Sequence, residues 1–282
     1  APGRILLTDA AGTVEAVGDG VADFVPGDKV ISCFFPQWQD GDAPLADFSA
    51  TPGDGVDGYA RSHVVRPASW FTKAPAYMTA AEAATLPTAG MTAWRALVPS
   101  GAIKAGDSVL VMGTGGVSIF ALQLAKAMGA TVIATSSSDD KLARATALGA
   151  DHVVNYKASP DWGQEVRKLT GGRGVDHVVE VGGPATLPQS ITACRIGGHI
   201  ALIGVLTGIS GVVPTVAIMS RQQRVHGITV GSRAEQQAFV RALEAIRVKP
   251  VLDRSFELAN LREGFDHYAS GDHFGKISIT VS

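Results

Sequence analysis

The residues best suited to chemistry in this chain lie at 108–118. A short apolar run, Val109-Leu110-Val111-Met112, leads into Gly113-Thr114-Gly115-Gly116-Val117-Ser118 and then into a long apolar segment. A strand that turns sharply into a helix aims the helix's unpaired N–H groups and its positive dipole end at one point, and a pyrophosphate suits that point. Gly113 takes the tight turn, Gly115 lets the backbone approach the phosphates, and the small Ser118 stands where the usual pattern has a third glycine. Glycine strings also arise in ordinary turns, so the surroundings decide. A helix over 117–128 closes on Gly129, and a β-branched run at 131–135 follows at once, completing a βαβ unit. Thr114, Gly116 and Val117 share the loop and are read with the two glycines as dinucleotide contacts.

The second strand of that unit ends in Ser136-Ser137-Ser138, with Lys141 just beyond. Folds selective for NAD place an Asp or Glu here to bind the ribose hydroxyls, and a carboxylate would repel the extra phosphate of NADP. Serine hydroxyls and a lysine can instead bond to it, so the loop favours NADPH/NADP, with NAD possible. The structural alternative is that Ser138 caps the next helix and Lys141 is solvated.

From Ser108 onward strands and helices alternate, the pattern of a parallel sheet covered on both faces. Six strands are expected, at 108–112, 131–135, 152–156, 176–181, 199–204 and 225–230, with helices near 139–148, 161–169, 185–194 and 234–246. Ser232 with Glu235, and Asn260 with Glu263, read as capping boxes. Residues before 88 are β-rich, with short strands at 13–17, 29–34 and 59–65 and a last strand at 276–281. The expected fold is therefore α/β: a six-stranded doubly wound parallel sheet of Rossmann type at 88–249, inserted into a β-rich domain made of 1–87 and 250–282, with a cleft between them.

The chain of 282 residues is 46% hydrophobic with a net charge of −2, which supports proper cores and no nucleic-acid surface. Cys33 and Cys194 stand far apart, so neither a disulfide scaffold nor a cysteine-rich zinc lobe is expected, and a reducing cytoplasm fits. Residues 196–220 lack any charged side chain but are broken by several glycines and Pro214, so no membrane span is expected. No signal peptide opens the sequence.

Further motifs lie outside the glycine loop: Asp9-Ala10-Ala11-Gly12, Pro26-Gly27-Asp28-Lys29-Val30, Gly58-Tyr59-Ala60, Ala83-Ala84-Thr85-Leu86-Pro87, Gly90-Met91-Thr92-Ala93-Trp94 and Leu148-Gly149-Ala150-Asp151. Together they resemble the medium-chain dehydrogenase/reductase superfamily, especially its zinc-free quinone reductase and alcohol dehydrogenase-like branch. The resemblance implies a GroES-like β domain, here N-terminally incomplete because relatives carry a further segment before the point matching Ala1. It implies phosphate and ribose contacts at Lys141 and Tyr156, and nicotinamide contacts at Thr92, Gly204, Val205, Gly231 and Ser232, with Phe274-Gly275-Lys276 closing over the ring. Thr92 alternatively starts a helix, and the glycines alternatively serve strand-end turns.

Zinc-dependent relatives place a His-Glu pair where this chain has Thr8-Asp9, and a cysteine where it has Thr88. Threonine is not a usual zinc ligand, so no zinc is expected. Without a metal to stabilise an oxyanion, quinones or conjugated enones are the favoured hydride acceptors. An alcohol dehydrogenase of the same fold and a non-catalytic NADPH-binding protein are the alternatives. No proton donor or other catalytic residue is assigned. Trp38, Phe34 and Phe35 either line a pocket or pack among themselves. The partners implied are a small carbonyl, quinone or alcohol substrate and a second copy of the chain, paired through the sheet edge at 225–230.

Overall fold

The structure is a computed structural model and describes residues 3–43 and 48–281. The chain forms two compact units, residues 1–91 with 230–282, and residues 92–229.

In the first unit, β1 (Ala11–Thr13), β2 (Lys29–Ser32) and β3 (Phe71–Lys73) make an antiparallel sheet in that order. Two strand expectations are corrected here. The segment 59–65 is not a strand: Tyr59 is buried while Val65 is 92% exposed, and the amides of Gly58 and Tyr59 bond to the carbonyls of Ile5 and Leu7. The third strand is instead β3, where Thr72 points inward and Lys73 outward. The first strand lies at Ala11–Thr13, earlier than the expected 13–17, because Val14 leaves regular pairing to bond with Asp28 and Gly27. A short helix, α1 (Ala80–Ala83), opens on a capping box between Thr79 and Glu82.

The second unit contains most of α2 (Met91–Leu97) and then alternates as expected: β4 (Ser108–Met112), α3 (Gly116–Ala127), β5 (Thr131–Ser136), α4 (Asp139–Ala147), β6 (His152–Asn155), α5 (Trp162–Leu169), β7 (Val175–Glu180), α6 (Leu187–Ala193), β8 (Cys194–Leu202), α7 (Thr215–Ser220) and β9 (Arg224–Gly227). The six strands are parallel, in the order β6-β5-β4-β7-β8-β9, the doubly wound topology. Every residue of β4 and β7 is buried, as strands covered on both faces must be, and β7 carries the buried polar residues Asp176, His177 and Glu180 beside its valines. Leu110, Ile133, Val166, Val178, Ile191 and Ile200 meet in one core. Gly129 takes φ +79° to end α3, as its position after the last apolar turn requires. The edge strand stops at Gly227 rather than 230, and Val230 lies in the left-handed region at φ +49°.

The chain then returns to the first unit with α8 (Arg233–Ile246), β10 (Leu252–Glu257), α9 (Leu261–Ser270) and β11 (Lys276–Thr280). The division differs from the expected boundary at 249, because α8 packs on the β domain. Gln236 of α8 donates to Ser32 O and Thr72 Oγ1, Arg233 donates to Phe71 O, and Phe239 lies against Gly90. β10, which the sequence reading did not anticipate, pairs in parallel with β11. The Ser232/Glu235 capping box forms, but the Asn260/Glu263 box does not. A 3-10 turn at Leu258–Asn260 delivers Asn260 at φ −104° and ψ 23°, outside the extended conformation of an N-cap, and its side chain makes no cap bond.

Candidate functional site

Within the second unit, the glycine loop follows β4 as its sequence requires. Gly113 takes φ +71°, a conformation costly for any residue with a Cβ. Gly115 is the N-cap of α3 and offers no side chain to the helix's first amides. A Cβ built on Gly113 or on Gly115 would meet nothing within 4 Å, so the space over the loop is open to a ligand. Gly116 and Val117 form the first turn of α3, and Thr114 is buried beside them. Ser118 is buried, and its Oγ donates to Met112 O at 2.6 Å, fastening helix to strand where a third glycine would only allow close approach. These features fit a pyrophosphate: open donors, a positive helix end and no protruding side chain.

At the end of β5, Ser136 is buried and its Oγ accepts from Ser138 N at 3.2 Å, while Tyr156 N donates to Ser136 O at 3.1 Å. Lys141 lies in the first turn of α4, where its amide donates to the Ser138 hydroxyl. The structure thus brings Ser136, Lys141 and Tyr156 together around one loop. It also realises the capping role of Ser138. Gly204 follows β8 in tight contact with the turn after β7: a Cβ there would fall 1.7 Å from Val181 O. Val205 beside it is 60% exposed, and Thr92 is buried in α2.

Gly231, Ser232 and Lys276 belong to the first unit. Gly231 is buried, and the Ser232 hydroxyl is engaged in capping α8, accepting from Glu235 N at 3.1 Å. Lys276 opens β11 directly after Gly275, which adopts φ +82° under the carbonyl of Val251. The positive charge of Lys276 acts on Asp9, whose carboxyl is held by the amide of Thr88 at 3.2 Å and by its hydroxyl. Burial raises the Asp9 pKa above the usual carboxylate value, against the opposing pull of Lys276 and the Thr88 bonds. The sequence marked Asp9 and Thr88 only as the positions where relatives hold a metal. That Lys276, near the other end of the chain, shares their surroundings had no local signal.

This donor set does not suit zinc: it offers one carboxylate already bonded to a threonine, with a lysine charge acting on it. Among the described residues no three His, Cys, Asp or Glu side chains are grouped to hold a metal. The histidines make ordinary contacts, His177 with Asp107, His199 with Ser100 and His267 with Asp253. Cys33 and Cys194 are unpaired and buried, and burial pushes each thiol up to about 12, so neither is a ready nucleophile. Phe34 and Phe35 pack with each other and with Phe48, and Phe35 with Trp38, at centroid distances of 4.6 to 6.2 Å, and Trp38 is buried with its indole N–H on Gly41 O. No helix among the described residues is long and apolar enough to cross a membrane.

Comparison with known proteins places these features in a lineage. The family described as alcohol dehydrogenase GroES-like domain matches residues 1–76, and the one described as zinc-binding dehydrogenase matches residues 116–246. A zinc-type alcohol dehydrogenase-like protein of Schizosaccharomyces pombe is 41% identical over 97% of this chain and 81% of its own length. The quinone oxidoreductase of Homo sapiens is 28% identical over 94% of this chain and 75% of its own length. The crystal structure of an NAD-dependent alcohol dehydrogenase superposes with a TM-score of 0.88 at 36% identity, covering 100% of this chain and 84% of that one. An open glycine loop on a six-stranded parallel sheet, a GroES-like unit and near end-to-end similarity together make this chain a member of the medium-chain dehydrogenase/reductase superfamily, a family of oxidoreductases that bind a nicotinamide coenzyme.

Proposed function

We propose that this protein is a zinc-independent, NADPH-dependent reductase that delivers hydride to a quinone, a conjugated enone or a related carbonyl. The observation that carries the reading is the pairing of Asp9 with Thr88 under the charge of Lys276, at the positions where metal-using relatives keep their ligands. A site without a Lewis acid suits substrates whose developing negative charge spreads over a conjugated system. The likeness to a human quinone oxidoreductase supports the same class. NADPH is favoured over NADH because Ser136, not a carboxylate, ends β5, with Lys141 one helical turn into α4.

When bound, the coenzyme supplies a hydride. The chain's own residues bind and orient it. The open amides of Gly115, Gly116 and Val117 receive the pyrophosphate, with Gly113 and Thr114 shaping the turn. Ser136, Lys141 and Tyr156 take the adenosine end. Thr92, Gly204 and Val205, all in the second unit, are assigned to the nicotinamide end.

Titration with NADPH and NADH, metal analysis and a turnover screen test the proposal together. NADPH oxidation by quinones or enones that persists after chelation is expected. A second reading, an NAD(P)-dependent alcohol dehydrogenase, is favoured by the names of the relatives in S. pombe and in the superposed crystal structure. Coenzyme reduction by alcohols with no activity on quinones or enones would establish it in place of the first. Tight binding with no turnover on either panel would mark a coenzyme-binding protein without catalysis.

We assign the protein a homodimer formed through β9. That strand has one neighbour in the sheet among the described residues, and before it the loop exposes Leu206, Ile209 and Val212 and α7 exposes Val216 and Met219, all five by 70–92%, a surface that water disfavours.

A further inference from the structure

An acidic residue stands at the innermost end of β7, in the stretch Val178-Val179-Glu180-Val181-Gly182-Gly183. Glu180 has no solvent exposure, and among the described residues no cation is bonded to it. Its Oε1 accepts from Gly182 N at 2.7 Å, Gly183 N at 3.0 Å and Thr186 Oγ1 at 2.7 Å, and its Oε2 accepts from the Ser190 hydroxyl. Every neighbour is a donor, which suits the acceptor-only carboxylate. Burying such a group is costly, and an apolar residue would pack this strand end at less expense. What the carboxylate adds is the shape of the turn that follows. Gly183 is held at φ +101°, where a Cβ would lie 3.0 Å from Gly204 O and 3.2 Å from Val205 Cα. Gly182 O accepts from Thr207 N at 2.8 Å and from Thr207 Oγ1 at 2.9 Å, while Glu180 O accepts from Ile203 N at 2.8 Å. On the other side, Ser190 Oγ lies 3.4 Å from Met112 Sδ, the last residue of β4 before the glycine loop.

We propose that Glu180 is a positioning residue for the nicotinamide end of the coenzyme: its carboxylate locks the turn at 181–183 against the turn at 204–207 and ties both to the end of β4. The inference rests on the coenzyme reading above, in which Gly204 and Val205 meet the nicotinamide. Ser136 and Tyr156, assigned to the adenosine half, bond elsewhere, at the end of β5, where Ser136 Oγ accepts from Ser138 N and Ser136 O from Tyr156 N. Glutamine at 180 would set an NH2 group against donors, and aspartate would fall one methylene short.

The test separates the two halves of the coenzyme. In Glu180→Gln, the affinity for NADPH is expected to fall by roughly tenfold or more, the effect of a buried donor left unpaired. The affinity for 2′,5′-ADP, which lacks the nicotinamide ribose, is expected to stay at the wild-type value, as calorimetry would read. A general loosening of the fold would weaken both ligands together, and that result, or no loss for either, overturns the proposal. Thr186→Val keeps the carboxylate and the chain's volume while removing one donor, and covers the case in which Glu180→Gln does not fold. It should lose affinity for NADPH alone, and Thr186→Ser should restore it. Thr186→Val binding NADPH as the wild type does would overturn the assignment. Wild-type protein that binds neither NADPH nor NADH would defeat the coenzyme reading itself and this inference with it, whereas normal wild-type binding with unselective variants defeats this inference alone.

Discussion

Gly115 separates binding from folding at a single position. Its backbone is at φ −75° and a Cβ there meets no protein atom within 4 Å, so Gly115→Ala should melt within about 1 kcal/mol of the wild type. The added methyl projects into the space assigned to the pyrophosphate, so the same variant should lose roughly tenfold or more in coenzyme affinity. Equal affinity in a fluorescence titration would remove the loop from the binding site. Ser136→Asp tests the other end: a carboxylate at the end of β5 repels a 2′-phosphate and accepts from ribose hydroxyls, and the preference between NADPH and NADH should move toward NADH by roughly tenfold or more. Unchanged selectivity would refute that assignment. The place of these two positions, at the start of α3 and the end of β5, was legible in the sequence because each follows an apolar run. The grouping of Asp9, Thr88 and Lys276 was not, since it depends on chain segments that only the fold brings together.

At the scale of elements, two helix starts that look alike in sequence behave differently. Ser232 caps α8 with the reciprocal bond from Glu235, whereas Asn260 makes no side-chain cap for α9. Ser232→Ala should therefore cost about 1 kcal/mol in chemical denaturation and Asn260→Ala close to nothing. The capping-box spacing was readable; the 3-10 turn that spoils the second box was not, because it is set by how β10 hands the chain to α9. The second unit was read nearly strand for strand, since buried parallel strands are apolar runs punctuated by glycine. The first unit was read poorly, because its strands are three to six residues long and half-exposed, so their alternation is too brief to distinguish from loop. The sheet of the second unit also sets a pH response. His199 on β8 is buried, which lowers its pKa to about 4, while in the unfolded chain it titrates near the ordinary 6.5. Between those values the unfolded state binds a proton that the native state does not, so stability falls as pH drops through the window and levels off below it. The loss is on the order of 3 kcal/mol. His199→Gln should reduce the slope of the stability profile from pH 6.5 to 4, leaving the part due to His177, which burial also holds below its ordinary value, and an unchanged slope would exclude His199 as a source.

For the whole molecule, the unpaired edge at β9 and the apolar loop before it predict a dimer in light scattering at micromolar concentration, and a monomer there would contradict the assignment. The composition of the first unit from both ends of the sequence has a further consequence. Gln236 reaches back 204 residues to Ser32 and 164 to Thr72, and β10 and β11 join the same unit. Residues 92–229, by contrast, form a contiguous stretch whose contacts are all available once that stretch has emerged. During synthesis a segment able to acquire its native sheet therefore emerges while residues 1–91 still lack the bonds that Arg233 and Gln236 make to Phe71, Ser32 and Thr72. The early arm of the nascent polypeptide is the part that chaperones must shelter, and synthesis halted between 229 and 233 would leave it without those bonds.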